Sequence, residues 1–144
     1  MTERVVVSAC LTGVRCRYDG GDSRAERLPD VLQGAVPLPV CPEELGGLPT
    51  PRPAAEIESG DGEDVLAGIA VVVTEEGRDV TRNFIEGAGA ALEKAQANGA
   101  KRAILKEKSP SCGVTLIKRK GEVVEGAGVF AALLKKEGFR ISGL

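Results

Sequence analysis

The stretch VVVSAC at residues 5–10 is a run of apolar residues that ends in a cysteine. Two further cysteines follow apolar runs in the same way: Cys41 after residues 36–40, and Cys112 shortly after residues 103–105. Continuous apolar runs are typical of parallel strands that are buried on both faces. Such strands end at one edge of their sheet, where open α/β proteins bind ligands. We therefore expect the three thiols to meet there, as the ligands of a metal or cluster would.

Five strand-length apolar segments recur along the chain and alternate with helical patterns. The predicted strands span residues 5–9, 36–40, 69–73, 102–106 and 139–141. Pro37 and Pro39 cannot donate hydrogen bonds to a neighbouring strand, so we expect their segment at an edge of the sheet. Strands that alternate with helices in 144 residues predict an α/β fold. We expect a three-layer, Rossmann-like single domain over residues 1–144 with a mainly parallel sheet.

The clearest helical pattern covers residues 81–98. Thr81 is its expected N-cap and Gly99 its left-handed stop. The apolar stripe of this helix consists of Phe84, Ala88, Ala91, Leu92 and Ala95. A second helix is predicted over residues 127–137 and a shorter one over residues 24–33.

Turn signals predict two hairpins and one loop. Glycine-containing turns at residues 76–77 and 120–121 favour hairpins over residues 71–80 and 115–124. The segment 56–64 is rich in Glu, Asp and Gly, so we expect an exposed loop there.

The composition excludes several classes of function. A net charge of −2 provides no broad cationic field, so we expect no nucleic-acid partner. The absence of histidine excludes Ser-His-Asp and Cys-His catalysis and His-ligated zinc. No signal-like segment and no apolar stretch of about 20 residues is present, so we expect a cytoplasmic protein without a membrane span. In that reducing compartment, four cysteines favour metal binding or catalysis over disulfides.

Three loops carry the side chains that are candidates for catalysis or binding. The first, residues 8–20, holds Cys10 and Cys16 beside arginines that would lower a thiol pKa. Arg17 in this loop is a candidate substrate contact. A cysteine in such a place is equally compatible with a small buried apolar side chain.

The second loop, residues 41–52, places Glu43 two residues after Cys41. A carboxyl group that is desolvated in that pocket would have a raised pKa and could exchange protons with a substrate. Gly46 and Gly47 permit close approach of the backbone to a ligand, so we predict substrate contacts there.

The third loop, residues 106–113, carries Ser109 and Ser111 on either side of a proline. Without histidine, neither serine is a conventional activated nucleophile, and hydrogen bonding to substrate is the better role. The cysteines lack the closely spaced pairs of zinc ribbons or ferredoxins. Three ligands from three strand ends would leave one coordination position open, as catalytic sites do.

These motifs resemble those of a family that was long known as a domain of unknown function and that includes the 2-thiouracil desulfurases. The matching stretches are SACLTGVRCRYDG at 8–20, CPEELGGLPTPRPAAEI at 41–57, GRDVTRNFIEGA at 77–88, AILKEKSPSCG at 103–113 and GAGVFAALLKKEG at 126–138. The resemblance implies a 4Fe-4S cluster on three cysteines, with the fourth iron free to take the sulfur of a thiocarbonyl.

The resemblance also implies roles for individual residues. The cluster ligands correspond to Cys10, Cys41 and Cys112. Cys16 is left over, and we expect it to be a non-ligand near the site. The catalytic acid corresponds to Glu43. The serine that positions the substrate corresponds to Ser109, with Ser111 as the close competitor.

The sequence leaves three candidate functions. The main prediction is a cluster-dependent desulfurase of sulfur metabolism that converts C=S to C=O in a thiolated nucleobase or similar small heterocycle and releases hydrogen sulfide. The first alternative is a redox or persulfide-handling protein that uses the thiols of Cys10 and Cys16. The second is a non-catalytic metal-binding module.

Overall fold

The computed structural model describes residues 2–144. The strands are β1 Arg4–Ser8, β2 Val36–Val40, β3 Ala55–Ile57, β4 Val72–Thr74, β5 Arg102–Leu105, β6 Leu116–Arg119, β7 Glu122–Glu125 and β8 Arg140–Gly143. The helices are α1 Leu28–Leu32, α2 Pro42–Leu45, α3 Gly62–Leu66, α4 Thr81–Ala97 and α5 Val129–Lys136. A short 3₁₀ helix, Ala9–Thr12, follows β1 directly.

The main sheet has four parallel strands in the order β2-β1-β5-β8. Strand β1 lies inside this sheet, and the side chains at positions 5–7 are completely buried. Strand β2 lies at the edge of the sheet, as its two prolines predict. At an edge, no strand on the outer side requires the N–H groups that proline lacks. The ends of β1, β2 and β5 therefore lie side by side at one edge.

Helices cover both faces of this sheet. On one face, α4 and α5 pack Phe84 and Phe130 against Val6 and Leu105. On the other face, α1 and the 3₁₀ helix contribute a smaller cluster. The buried members of that cluster are Val5, Val7, Leu11, Leu28, Leu32 and Ile104. The predicted fold class, an α/β protein with a layered, mainly parallel sheet, is confirmed.

The predicted strand over residues 69–73 is wrong as a member of the main sheet. Ile69 is 74% exposed, and the strand here is β4, which pairs antiparallel with β3 in a separate two-stranded sheet. A continuous apolar run is compatible with either placement. Only tertiary pairing decides between them.

The predicted exposed loop over residues 56–64 is also partly wrong. Its first residues form β3, in which Ile57 is completely buried. Asp61 then caps α3 by accepting a hydrogen bond from the Glu63 amide, while Asp64 accepts one from the Asp61 amide. The acidic residues thus start a helix instead of lining a loop, because short carboxyl side chains satisfy free N–H groups at an N-terminus.

The remaining predicted elements are present, the helices with shorter bounds and some strands with shifted bounds. Both hairpins are present: β6 pairs with β7, and Val73 bridges Asp79 across the other turn. Thr81 is the first residue of α4 instead of its N-cap. Its hydroxyl accepts a hydrogen bond from the amide of Val72 and so fixes α4 to β4. Among residues 2–144, no helix is long and apolar enough to cross a membrane.

Candidate active site

A pocket of about 660 Å³ opens at the carboxyl edge of the main sheet. The segments that follow β1, β2 and β5 form much of its wall. The lining includes seven residues that the sequence marks as functional or adjacent to the site. These are Cys10, Cys16, Arg17, Cys41, Glu43, Ser109 and Cys112. The structure thus brings together thiols that lie up to 102 positions apart in the chain.

Three of the thiols form a contiguous group. Cys16 is buried, whereas Cys10 and Cys41 are half-buried. The Cys41 thiol donates to the carbonyl of Cys16 at 3.7 Å, and the Cys16 thiol lies near enough to both of the other thiols to affect their pKa values. This proximity lowers the pKa of Cys10 and of Cys41 and raises the pKa of Cys16. Cys10 and Cys41 are therefore the two thiols that convert more readily to thiolates, the form that binds metals.

Cys112 reaches the pocket from the β5 side. Its side chain is buried. Burial raises the pKa of the Cys112 thiol most, and the nearby charge of Glu43 raises it as well. The Cys112 sulfur lies 3.9 Å from the hydroxyl oxygen of Ser111. A bound metal would reverse this shift, because direct coordination favours the thiolate.

Glu43 projects from α2 into the same pocket. Its side chain is 17% exposed and forms an ion pair with Arg52, with 3.1 Å between Oε2 and Nη2. Burial raises the pKa of Glu43, and the guanidinium opposes this shift without cancelling it. A carboxyl group with a raised pKa can hold a proton closer to neutral pH and deliver it to a bound molecule.

The position of α2, and with it Glu43, depends on close packing against α4. A Cβ atom at Gly46 would collide with the backbone carbonyl of Asn83. The Asn83 amide also donates a 2.9 Å hydrogen bond to the carbonyl of Gly46. Gly46 and Gly47 are absent from the pocket lining. Gly46 instead permits the close packing of α2 on α4, and Gly47 adopts the left-handed conformation of the following turn.

Arg52 connects the loops after β1 and β2. Its side chain is 5% exposed, and it donates hydrogen bonds to the carbonyl of Cys16 at 2.9 Å and to the hydroxyl of Thr50 at 2.9 Å. The guanidinium thus fixes Glu43 relative to the thiol group. Sequence reasoning assigned no such supporting role to Arg52, since its partners lie 9 and 36 residues away.

The two serines of the third loop have different surroundings. The hydroxyl oxygen of Ser109 accepts hydrogen bonds from the amides of Ser111 and Cys112, at 3.1 and 2.9 Å. Its O–H remains a donor at the pocket wall. Ser111 is 1% exposed, and its hydroxyl lies near enough to Glu43 to lower the pKa of that carboxyl group slightly. It does not line the pocket, so its place is behind the carboxyl group.

Glu107 is a second carboxylate that sequence reasoning missed. Its Oε1 accepts hydrogen bonds from the amides of Val114, Thr115 and Leu116, at 2.7, 3.1 and 3.2 Å. Its Oε2 accepts one from the Thr115 hydroxyl at 2.7 Å. These bonds close the loop that carries Ser109 and Cys112. A Glu between two lysines gives no signal of this role in the sequence.

Positive charge surrounds part of the pocket. Arg17 donates a 2.8 Å hydrogen bond to the Ser23 hydroxyl and forms an ion pair with Asp19. Burial lowers the pKa of Lys106, and the charge of neighbouring Arg17 lowers it further. The repulsion between these cations would fall if an anionic group bound between them.

The donor set fits an iron–sulfur cluster better than a single ion. Among residues 2–144, no three Cys, Asp or Glu side chains surround one point closely enough for a metal ion. In a cubane cluster each protein thiolate binds a different iron, so the ligands are spread around the group. Cys10, Cys41 and Cys112, on three different strand ends, suit that distribution. Thiolates are also the soft ligands that such clusters require.

The fold and the site together define an α/β protein with a thiol-lined pocket of the kind that holds a metal–sulfur group. The family described as 2-thiouracil desulfurase matches residues 5–143, and the chain belongs to this family. A protein of Bacillus subtilis (strain 168), named "Uncharacterized protein YbbK", is 45% identical over 140 residues, which are 95% of this chain and 93% of that protein. The solved structure of the [4Fe-4S]-dependent thiouracil desulfidase TudS is 40% identical, with a TM-score of 0.84, and the match covers 99% of this chain and 91% of that one.

Proposed function

We propose that this protein is a 4Fe-4S-dependent desulfidase that removes sulfur from a thiolated nucleobase or a similar small thiocarbonyl compound and releases hydrogen sulfide. The observation that carries the proposal is the meeting of three strand-end thiols and one buried carboxyl group in a single pocket. The likeness to TudS, over nearly the full length of the chain, supports it.

Cys10, Cys41 and Cys112 would hold the cluster. Three protein ligands leave one of its irons free, and that iron supplies a soft Lewis acid that prefers a thiocarbonyl sulfur to a carbonyl oxygen. The pocket volume of about 660 Å³ lies within the range of small-molecule sites. A single-ring heterocycle beside a cluster is therefore a suitable occupant.

Glu43 would carry the proton transfers. The net reaction adds water across C=S, forms C=O and expels hydrogen sulfide, with no net oxidation or reduction. Glu43 in its ionised form accepts one proton from the water that attacks carbon and, in its protonated form, returns it to the departing sulfur. The second proton of that water, left on the new hydroxyl group, takes the same route as C=O forms, so the sulfur leaves as hydrogen sulfide. Burial raises its pKa, which favours the protonated form that acts as the acid.

Ser109 and Arg17 would orient the substrate. The Ser109 O–H is available at the pocket wall because only its oxygen is engaged by the loop amides. Arg17 lines the same pocket and provides donors for a polar ring substituent. Ser111, Gly46 and Gly47 would act from behind, by holding Glu43 and α2 in place.

The test is anaerobic reconstitution with iron and sulfide, followed by incubation with 2-thiouracil and 4-thiouracil. We expect a brown protein that releases hydrogen sulfide and the corresponding oxo-pyrimidine in equal amounts. A reconstituted protein that binds iron but releases no sulfide from any thiolated pyrimidine would contradict the substrate class. A protein that takes up no iron would contradict the cofactor.

A thiol-based redox function is the second candidate, because Cys10 and Cys16 line the same pocket and the nearby Cys16 thiol lowers the pKa of Cys10. The two functions predict opposite results for two variants. If a Cys10–Cys16 dithiol is the reactive unit, Cys16→Ser abolishes activity and Cys41→Ser preserves it. If the cluster is the reactive unit, Cys41→Ser abolishes activity, and Cys16→Ser retains the cluster.

A further inference from the structure

Tyr18 lies in the wall of the pocket, and the proposed function gives its side chain no task. We propose that the Tyr18 ring is the surface on which the ring of the substrate stacks, so that the site selects planar aromatic thio-heterocycles over saturated or open-chain thiocarbonyl compounds. This inference deepens the proposed function and rests on it, since it requires that a thiocarbonyl compound binds in this pocket.

Tyr18 is the aromatic residue that the core does not use. The chain has three phenylalanines, one tyrosine and no tryptophan. Phe130 is completely buried, and Phe139 packs against the main core. Phe84 borders the pocket but is 2% exposed and belongs to the core, whereas Tyr18 is 44% exposed and lines the pocket. A ring that is in contact with water in the free protein gains free energy when another flat ring covers it.

Backbone hydrogen bonds hold Tyr18 in a tight turn. The Arg17 amide donates to the carbonyl of Gly21 at 3.1 Å, and the Gly20 amide donates to the carbonyl of Arg17 at 2.9 Å. The Tyr18 carbonyl itself accepts from the Arg52 amide at 2.8 Å. Because the backbone at Tyr18 is already ordered, little conformational freedom is lost there when a ligand binds, and the contact contributes more to affinity.

Arg17 occupies one face of the Tyr18 ring. Its guanidinium carbon lies 5.7 Å from the ring centroid, within the range of a cation–π contact. The same guanidinium is held by the Ser23 hydroxyl at 2.8 Å and by the Asp19 carboxylate at 3.3 Å. The opposite face of the ring is therefore the one that a ligand can cover.

Proline rings add further flat, apolar surface to the pocket. Pro49 and Pro53 line it, and they lie on either side of Arg52 in the chain. The Arg52 amide binds the carbonyl of Tyr18, while its guanidinium pairs with Glu43 at 3.1 Å. The stacking surface and the proposed proton carrier are thus joined through one buried residue, which fixes one relative to the other.

The expected size of the effect is that of a nucleobase stacked on an aromatic side chain. Loss of one such contact lowers affinity about 5–100-fold. The contact requires a ring face and not a hydroxyl group, so phenylalanine should replace tyrosine and leucine should not. It also requires an aromatic ligand. Uracil is flat, whereas dihydrouracil has the same carbonyl and N–H groups on a puckered ring that stacks poorly.

The experiment uses the full-length protein, reconstituted anaerobically, as wild type, Tyr18→Leu and Tyr18→Phe. Val14→Ala is the matched control, because Val14 is 46% exposed in the same loop but does not line the pocket. Iron per chain is measured first. KM and kcat for 4-thiouracil are measured from the loss of its absorbance, and the same assay gives the inhibition constants of uracil and dihydrouracil.

We expect equal iron content in all four proteins. In Tyr18→Leu, KM for 4-thiouracil should rise about 5–100-fold while kcat stays within a few-fold of the wild type, since stacking stabilises the bound substrate and the transition state alike. Tyr18→Phe and Val14→Ala should match the wild type. The wild type should bind uracil more tightly than dihydrouracil, and this preference should disappear in Tyr18→Leu.

Three results would overturn the inference. A wild type that binds uracil and dihydrouracil equally would show that no stacking occurs, and this measurement needs no variant. An unchanged KM in Tyr18→Leu would show that the ring does not contact the substrate. An equal rise of KM in Tyr18→Phe and Tyr18→Leu would assign the contact to the hydroxyl group.

These results are distinguishable from a failure of the proposed function. A wild type that takes up no iron, or that is loaded and releases no sulfide, contradicts the proposed function itself. A wild type that is loaded and active but gives one of the three results above keeps the desulfidase function, and only the stacking role of Tyr18 is withdrawn.

Discussion

The loops after β2 and β5 each bring one thiol and one glutamate to the site, yet the two glutamates have opposite surroundings. Glu43 is desolvated and has one strong partner, Arg52, so its pKa is raised. Glu107 is also partly buried, which by itself would raise its pKa. Four hydrogen bonds to the following loop outweigh this effect, so the pKa of Glu107 is lowered overall. The number of donors thus separates a carboxyl group that can move a proton from one that holds a loop.

Replacement of Glu43 tests the first half of this comparison and has the largest expected effect. Glu43→Gln retains the size of the side chain and one acceptor oxygen but cannot carry a proton. We expect normal iron content and a loss of turnover of about 10²–10⁴-fold, the usual contribution of a general acid–base. Iron per chain and sulfide release measured on one preparation separate the two effects. Turnover within a few-fold of the wild type, at equal iron, would assign the proton transfers to another group.

Replacement of Glu107 tests the second half. Glu107→Ala leaves the amides of residues 114–116 without their acceptor. We expect a loss of about 1–3 kcal/mol in the free energy of unfolding, as for other partly buried donors that lose their partner. Urea unfolding of the cluster-free protein measures it. Glu93→Ala, on the exposed side of α4, is the matched control and should be unchanged within about 0.5 kcal/mol.

The packing of α2 on α4 gives an effect of similar size by a different cause. At Gly46 an added methyl group would meet the Asn83 carbonyl, so Gly46→Ala should destabilise the fold by about 1–3 kcal/mol and displace Glu43. At Gly89, on α4, a Cβ would meet nothing within 4 Å. Gly89→Ala should therefore stabilise the protein by about 0.5–1 kcal/mol through helix propensity. Equal effects of the two substitutions on the melting temperature would contradict the close packing.

The pH dependence of stability is the smallest expected effect and sharpens the comparison. Because the pKa of Glu107 is lowered by folding, its contribution is fully present above the unfolded-state pKa of about 4.3 and is lost as the pH falls through the folded-state pKa. The difference in unfolding free energy between the wild type and Glu107→Gln should therefore narrow below about pH 4.5. A difference that is constant from neutral to acid pH would contradict a charged, hydrogen-bonded Glu107.

Local patterns in the sequence were sufficient to predict the strands that precede the thiols. The apolar runs at residues 5–7 and 103–105 lie in strands that the structure places inside the parallel sheet. Residues 69–73 have the same pattern but form an antiparallel strand in a smaller sheet, because apolar composition does not specify a partner. The edge position of β2 was predictable, since proline has no N–H to donate.

Side-chain direction was not predictable in the same way. The sequence places Ser109 and Ser111 in one loop. It does not show the turn that brings Ser109 to the pocket wall and leaves Ser111 outside the lining, near Glu43. The ion pair of Arg52 and the contacts of Cys16 likewise depend on where two loops from different strands cross. Such contacts are decided by tertiary packing, for which a single sequence has no periodic signal.

The most direct test of the account is the iron content of single cysteine variants after anaerobic reconstitution. The account predicts about four irons per chain in the wild type and in Cys16→Ser, as for a complete cubane, and little iron in Cys10→Ser, Cys41→Ser and Cys112→Ser. Full iron content in any one of these last three, or its loss from Cys16→Ser, would contradict the assignment of the cluster to the ends of β1, β2 and β5.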